Sequence, residues 1–209
     1  MKKTYKLPIE YEQSYFTNDL KDYDHIILAL HGYQQSGEFF YKRIEKFFDL
    51  NKTLIICPNA PFLVPTKKEE GWIDTYSWYF FDPQKKSFYI NYEPSALMIS
   101  KLLDQLNPLN KEVTLLGYSQ GGYLSPKVAQ LNKNIKKVIG LACIFRGERF
   151  KLKDDCEYIQ IHGNEDDVVD IKESQNEFEK LGLDLNDYHT IDADHLLTSQ
   201  FFDKLKDLL

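Results

Sequence analysis

The chain is poor in the features that mark several large functional classes. It has three cysteines, Cys57, Cys143 and Cys156. An odd set without metal-type spacing argues against both a disulfide framework and a cysteine-ligated metal. No His/Cys cluster has ligand spacing, and neither a G-x-G-x-x-G nor a P-loop pattern occurs, so no metal and no nucleotide cofactor are expected. Runs such as Ile26-Ile27-Leu28-Ala29-Leu30 are far too short to span a bilayer. Basic residues form no patch: 26 Lys and Arg are interspersed with 32 Asp and Glu, for a net charge of −6, which speaks against nucleic-acid binding. The segment Met1-Lys2-Lys3-Thr4-Tyr5-Lys6 carries positive charge with no apolar region behind it, so a secretory signal is not expected. The thiols therefore read as reduced, in a cytoplasmic protein, with Cys57 a core residue inside a strand-like run.

What is present is an alternation of short apolar strands and amphipathic helices. The 209 residues suffice for one domain spanning 1–209. Strands are expected at His25–Leu30, Thr53–Cys57, Val113–Leu116, Lys137–Ala142, Glu157–Ile161 and Asn186–Ile191. Helices are expected at Glu38–Leu50, Pro94–Leu106, Gln120–Leu131, Ile171–Leu181 and Leu196–Leu208. Pro126 should bend the third helix or mark its first turns. This order implies a mainly parallel sheet covered by helices on both faces. Tyr5–Phe16 alternates weakly and reads as an antiparallel edge hairpin. The connection from Pro58 to Tyr92 has little periodicity; loops of that length in compact domains are usually functional or disordered, and its many aromatics argue against disorder. The connection between Ala142 and Glu157 is too short for a large cap domain.

The chemistry centres on Gly117-Tyr118-Ser119-Gln120-Gly121-Gly122, directly after the run Val113–Leu116. A serine hydroxyl is a poor nucleophile unless it is held exposed beside a base, and a sharp strand–turn–helix with flanking glycines does this. Three other segments follow strands: His31-Gly32-Tyr33-Gln34-Gln35-Ser36-Gly37, then His162-Gly163-Asn164-Glu165-Asp166-Asp167, then Asp192-Ala193-Asp194-His195 before the last helix. Residues just past strand C-termini gather at one edge of a parallel sheet. A serine, an acid near Asp166 and a late histidine would meet there in the chain order Ser…Asp…His. Spacing alone leaves Glu165 and Asp167 open beside Asp166. His31 and His162 read as braces of His-Gly turns, His25 and His189 have no partner in view, and Asp192 and Asp194 read as turn residues.

These motifs resemble the phospholipase/carboxylesterase group of α/β-hydrolases, which includes acyl-protein thioesterases. The resemblance rests on His31-Gly32, G-Y-S-Q-G-G around Ser119, H-G-x-x-D ending at Asp166, His195, and Ala60-Pro61 followed by Ser77-Trp78-Tyr79. It spans Leu30 to His195. Two departures stand out: the group often has a second glycine near Gln34 and a proline where Asp167 stands. The stretch His31–Gly37 is also similar to the fungal family serine hydrolase group. The resemblance implies an α/β-hydrolase fold with Ser119 as nucleophile, His195 as base and Asp166 as the orienting acid. It implies, as does the geometry of a helix start, that the backbone N–H groups of Tyr33 and Gln120 form the oxyanion hole. It places Trp78 and Tyr79 on the acyl-pocket wall. The expected substrate is a small or acyl-chain ester or thioester in an open groove. A lysophospholipase or peptidase on the same scaffold, and a catalytically silent binding protein, are the alternatives.

Overall fold

The computed structural model describes residues 12–82, 84–85 and 87–209. Seven strands form one sheet: β1 (Tyr15–Thr17), β2 (His25–Leu30), β3 (Thr53–Pro58), β4 (Val113–Tyr118), β5 (Ile135–Leu141), β6 (Glu157–Gly163) and β7 (Tyr188–Ile191). Their spatial order is β1-β3-β2-β4-β5-β6-β7. All neighbours are parallel except β1, which runs antiparallel to β3 at the edge. Among the described residues the α-helices are α1 (Gly37–Ile44), α2 (Glu93–Leu106), α3 (Gln120–Leu131), α4 (Ile171–Lys180) and α5 (Ser199–Lys206).

Strand alternation sorts the apolar side chains into two cores. Ile26, Leu28, Leu30, Leu115 and Val138 face α2, α3 and α4, where they meet Ile99, Leu103, Leu124, Val128 and Phe178. Ile27, Ala29, Ile55, Leu116, Ile139 and Ile161 face the other way, toward Phe40 and Ile44 of α1 and Phe201 and Leu205 of α5. With both faces buried, the central strands need apolar residues at every position, which is why β2 and β4 read as continuous runs.

Several boundaries differ from those the sequence predicts. The first helix ends at Ile44 and tightens into a 3-10 turn, Glu45–Phe47, which sets Phe47 flat on Phe202 with ring centroids 4.3 Å apart. The last helix starts at Ser199 rather than Leu196, because Leu196–Thr198 turn the chain away from the His195 loop. Residues 185–187 form a 3-10 turn, and β7 begins at Tyr188. Helix α3 runs on through Pro126, past its first turns. The expected Tyr5–Phe16 hairpin lies mostly outside the described residues. Its described end pairs with β3, Tyr15 lying opposite Pro58.

The 58–92 connection is built of short pairings. Phe62–Leu63 pairs with Tyr76–Ser77, Thr66–Lys68 with Gly71–Ile73, and Phe80–Asp82 with Ser87–Tyr89. Between Ala142 and Glu157 there is one 3-10 turn, Gly147–Arg149, so no cap domain covers this end.

Candidate active site

Sheet register brings the candidate residues to one edge. Gly117 of β4 lies opposite Leu30 of β2, and Tyr118 opposite Leu141 of β5. Gly163 of β6 lies opposite Ile191 of β7. His31, Ser119, Asp166 and His195 therefore all leave the sheet at the carboxyl ends of their strands, where open parallel sheets form sites.

Ser119 sits at φ 48° and ψ −117°, between β4 and α3. A non-glycine residue held there costs about 1–3 kcal/mol. The surroundings impose it. The Ser119 N–H donates to the Leu141 carbonyl at 2.9 Å, and its carbonyl accepts the Tyr123 N–H at 3.0 Å. The flanking glycines leave the room for so sharp a turn. A Cβ on Gly121 would overlap the Leu30 carbonyl oxygen, and one on Gly117 would overlap the Ser125 hydroxyl.

His195 Nε2 lies 3.1 Å from Ser119 Oγ, and His195 Nδ1 lies 2.9 Å from Asp166 Oδ2. The Asp166 side chain is fully buried, and that of His195 is 13% exposed. The other Asp166 oxygen, Oδ1, accepts the N–H groups of Val168 at 2.9 Å and Val169 at 2.8 Å. Burial alone would raise the carboxyl. Hydrogen bonds from His162, His195 and the Val169 N–H outweigh it and hold the group well below the usual carboxylate range. An ionised Asp166 requires the hydrogen on His195 Nδ1, which leaves the Nε2 lone pair facing the hydroxyl. Glu165 and Asp167 are exposed, while Asp194 caps the next turn through its bond from the Leu196 N–H at 2.8 Å. The Tyr118 hydroxyl donates to the His195 carbonyl at 3.1 Å, a contact with no sequence signal beyond the x of G-x-S-x-G.

The Gln120 N–H opens α3, and among the described residues neither it nor the Tyr33 N–H has an acceptor. The loop carrying Tyr33 is fastened from several sides. His31 is completely buried, with Nε2 accepting the Ala60 N–H at 3.1 Å and Nδ1 2.7 Å from the Gly32 carbonyl. Gln35 Oε1 accepts the Gly32 N–H at 3.0 Å.

Trp78 and Tyr79, expected on the pocket wall, are instead packed into the body of the protein. Trp78 has no exposed surface, and Tyr79 is 4% exposed. The Trp78 indole donates to the His31 carbonyl at 2.7 Å, and its ring lies 5.0 Å from that of His31. The buried Gln120 amide clamps the same segment, accepting the Trp78 N–H at 2.9 Å and donating to the Tyr79 carbonyl at 3.0 Å. Aromatic type predicted neither role, because a buried ring and a lining ring look alike in sequence. The rings beside Tyr33 are Phe88, edge-on at 5.2 Å, and Phe81 at 5.9 Å. On another side of the loop, a cavity of about 420 Å³ is lined by Tyr33, Gln35, Ser36, Phe39, Thr66 and Lys68, among others.

His31 gives the fold a pH dependence. Burial pushes its imidazole down from the ordinary 6.5 to about 4, against the pull of the Gly32 carbonyl. The unfolded chain then takes up this proton before the folded one does. Stability is full above pH 6.5 and falls as pH drops toward 4. The expected loss between pH 6.5 and 5 is about 2 kcal/mol from this group. Urea unfolding at the two pH values measures it. His31→Asn should be less stable at pH 7 yet lose less on acidification; equal losses in both proteins would remove His31 as the source.

The parallel sheet with helices on both faces and the strand–serine–helix turn define an α/β-hydrolase. Residues 17–209 match the phospholipase/carboxylesterase family, and the chain belongs to it. No curated protein matches it. Solved structures similar to it include esterase PE8, at 20% identity with TM-score 0.69, covering 95% of this chain and 98% of that one. Acyl-protein thioesterase 2 of Zea mays is 19% identical with TM-score 0.70, covering 93% and 96%. The carboxylesterase of Bacillus cereus is 15% identical with TM-score 0.68, covering 94% and 92%. Among the described residues no helix is long and apolar enough to cross a membrane.

Proposed function

We propose that the protein is a serine hydrolase that cleaves carboxylic esters or thioesters through an acyl-enzyme. The observation that carries this is the hydrogen-bonded chain from Ser119 Oγ through His195 to the buried Asp166. His195 Nε2 takes the Ser119 proton as Oγ attacks the acyl carbonyl carbon. The tetrahedral oxyanion is met by the N–H groups of Tyr33 and Gln120. Collapse breaks the bond to the alcohol or thiol, which leaves with the proton from His195. Water then repeats the sequence on the acyl-serine and releases the acid. Asp166 keeps the imidazole in the tautomer that can accept and stabilises it once charged. The exposed end of the sheet, with no cap domain over it, favours small esters or acyl chains carried on a larger molecule. Tyr33, Phe81 and Phe88 are the aromatic surface we assign to the acyl group, with Trp78 and Tyr79 as its buried support. The free thiols of Cys57, Cys143 and Cys156 support a cytoplasmic setting.

The test is labelling of the purified protein with a fluorophosphonate probe, read by intact mass and peptide mapping. One adduct, on Ser119, is the expected result. A folded protein that takes no adduct would bring the silent-binding alternative forward.

A further inference from the structure

A second histidine touches the same carboxylate. His162 is the penultimate residue of β6, four residues before Asp166, and its side chain is completely buried. Its Nε2 lies 3.2 Å from Asp166 Oδ2 and 3.1 Å from the Val169 carbonyl oxygen. Both of these atoms are acceptors, so the ring carries its hydrogen on Nε2, bonded to the Val169 carbonyl with Asp166 Oδ2 within reach of the same N–H. Its Nδ1 is buried with no hydrogen-bond partner among the described residues. The ring lies nearly parallel to Tyr188, 16° apart with centroids at 6.3 Å. Val169 closes the ring of contacts: its N–H donates to Asp166 Oδ1, and its carbonyl accepts from His162.

Asp166 thus accepts three hydrogen bonds, two on Oδ1 and one on Oδ2, and the His162 Nε2–H is a fourth donor 3.2 Å from Oδ2, which brings the ionised carboxylate to about its full capacity. Oδ2, the oxygen that orients His195, is shared with His162. A bond from His162 does two things there. It stops the carboxylate from rotating away from His195, and it draws off part of the charge that would otherwise stabilise the imidazolium. A buried histidine with one ring nitrogen unpartnered is a costly way to brace a loop, since a glutamine or threonine could hold the Val169 carbonyl.

We propose that His162 is a positioning residue for the Ser119 chemistry: it fixes Asp166 Oδ2 beside His195 and shares that oxygen's charge, so the acid limb of the pH–rate profile lies lower than it would with His195 as the sole donor to Oδ2. The proposal rests on the serine-hydrolase reading.

The other groups around this cluster do not confuse a measurement between pH 5 and 9. Burial pushes the Tyr118 phenol and the Cys143 thiol each up to about 12, and raises the Tyr123 and Tyr188 phenols as well, so all four stay neutral. Besides Asp166, the charged side chains acting on Tyr118 are Arg43 of α1, whose Nη1 donates to the Leu197 carbonyl at 3.0 Å, and Asp194, on the His195 loop. Both are untouched by a change at His162.

The experiment compares wild type with His162→Phe and His162→Gln. Phe keeps a ring against Tyr188 and removes the donor; Gln keeps an N–H donor. The readout is the second-order rate of fluorophosphonate labelling of Ser119 from pH 5 to 9, with p-nitrophenyl acetate kcat and KM beside it. For the Phe variant, the acid limb should move up by about half to one pH unit, with kcat down about tenfold at pH 7 and KM little changed. The Gln variant should keep the wild-type limb. If the Phe variant does not fold, His162→Leu, which also lacks a donor, replaces it in the comparison. A folded variant lacking the donor whose limb stays in place, with only its amplitude reduced, would overturn the proposal. Absence of labelling in wild type at every pH would instead sink the serine reading itself.

Discussion

Replacing Ser119 with alanine is expected to lower kcat on an activated ester by about 10⁴- to 10⁶-fold, with the folded protein intact. Removal of the hydroxyl deletes the attacking atom, and nothing else lies at the same point of the turn. The structural cost is small. The side-chain hydrogen bond of Ser119 is to His195 Nε2, at 3.1 Å, and both groups reach the surface. Alanine has the same backbone preferences, so the strain at φ 48° is unchanged. Stability should therefore stay within about 0.5 kcal/mol of wild type. Residual catalysis from a preset oxyanion hole keeps the rate above the uncatalysed reaction. Kinetics with p-nitrophenyl acetate, on protein checked by urea unfolding, make the measurement. Activity within tenfold of wild type would show that another group attacks.

Replacing Asp166 with asparagine should cost about 10⁴ in kcat, by analogy with the same change in other triads, and here the structure supplies the reason. Oδ1 accepts two backbone N–H groups, from Val168 and Val169. An asparagine must put its oxygen there, because an NH2 would set donor against donor. The amide nitrogen is then forced into the Oδ2 position, facing His195 Nδ1 and His162 Nε2. A donor at that point makes His195 accept on Nδ1, which moves its hydrogen to Nε2. That hydrogen points at Ser119 Oγ, and the base is blocked. The loss should shrink at high pH, where hydroxide can take the proton directly. Proton NMR of the imidazole N–H reports the tautomer, and kcat at pH 7 and 9 reports the rate. A drop of less than tenfold at pH 7 would mean that some group other than Asp166 orients His195.

The same carboxylate has a role in stability at the acid extreme. Its pKa is depressed in the folded state, so its contribution is complete above the ordinary carboxylate range and is lost only as pH falls below it. The His31 loss begins at higher pH, so the two windows are separable.

The sequence by itself determined the alternation of strands and helices, the doubly covered sheet and the residue types gathered at its carboxyl edge. Each of these is encoded within a short window. Continuous apolar runs specify buried strands, 3.6-residue spacing specifies helices, and G-x-S-x-G specifies one turn. Membership of the phospholipase/carboxylesterase family was legible for the same reason, because its motifs are local. Only the tertiary structure decided which of Glu165, Asp166 and Asp167 faces His195, since three adjacent acids point three ways and the choice depends on a loop 29 residues away. It also decided that His162 meets the same carboxylate, that Trp78 and Tyr79 are buried supports, and that Gln120 clamps a segment 43 residues upstream. Those outcomes depend on how distant segments pack. A side chain's type states what it can bond to, and only the packed fold states which partner comes within 3 Å.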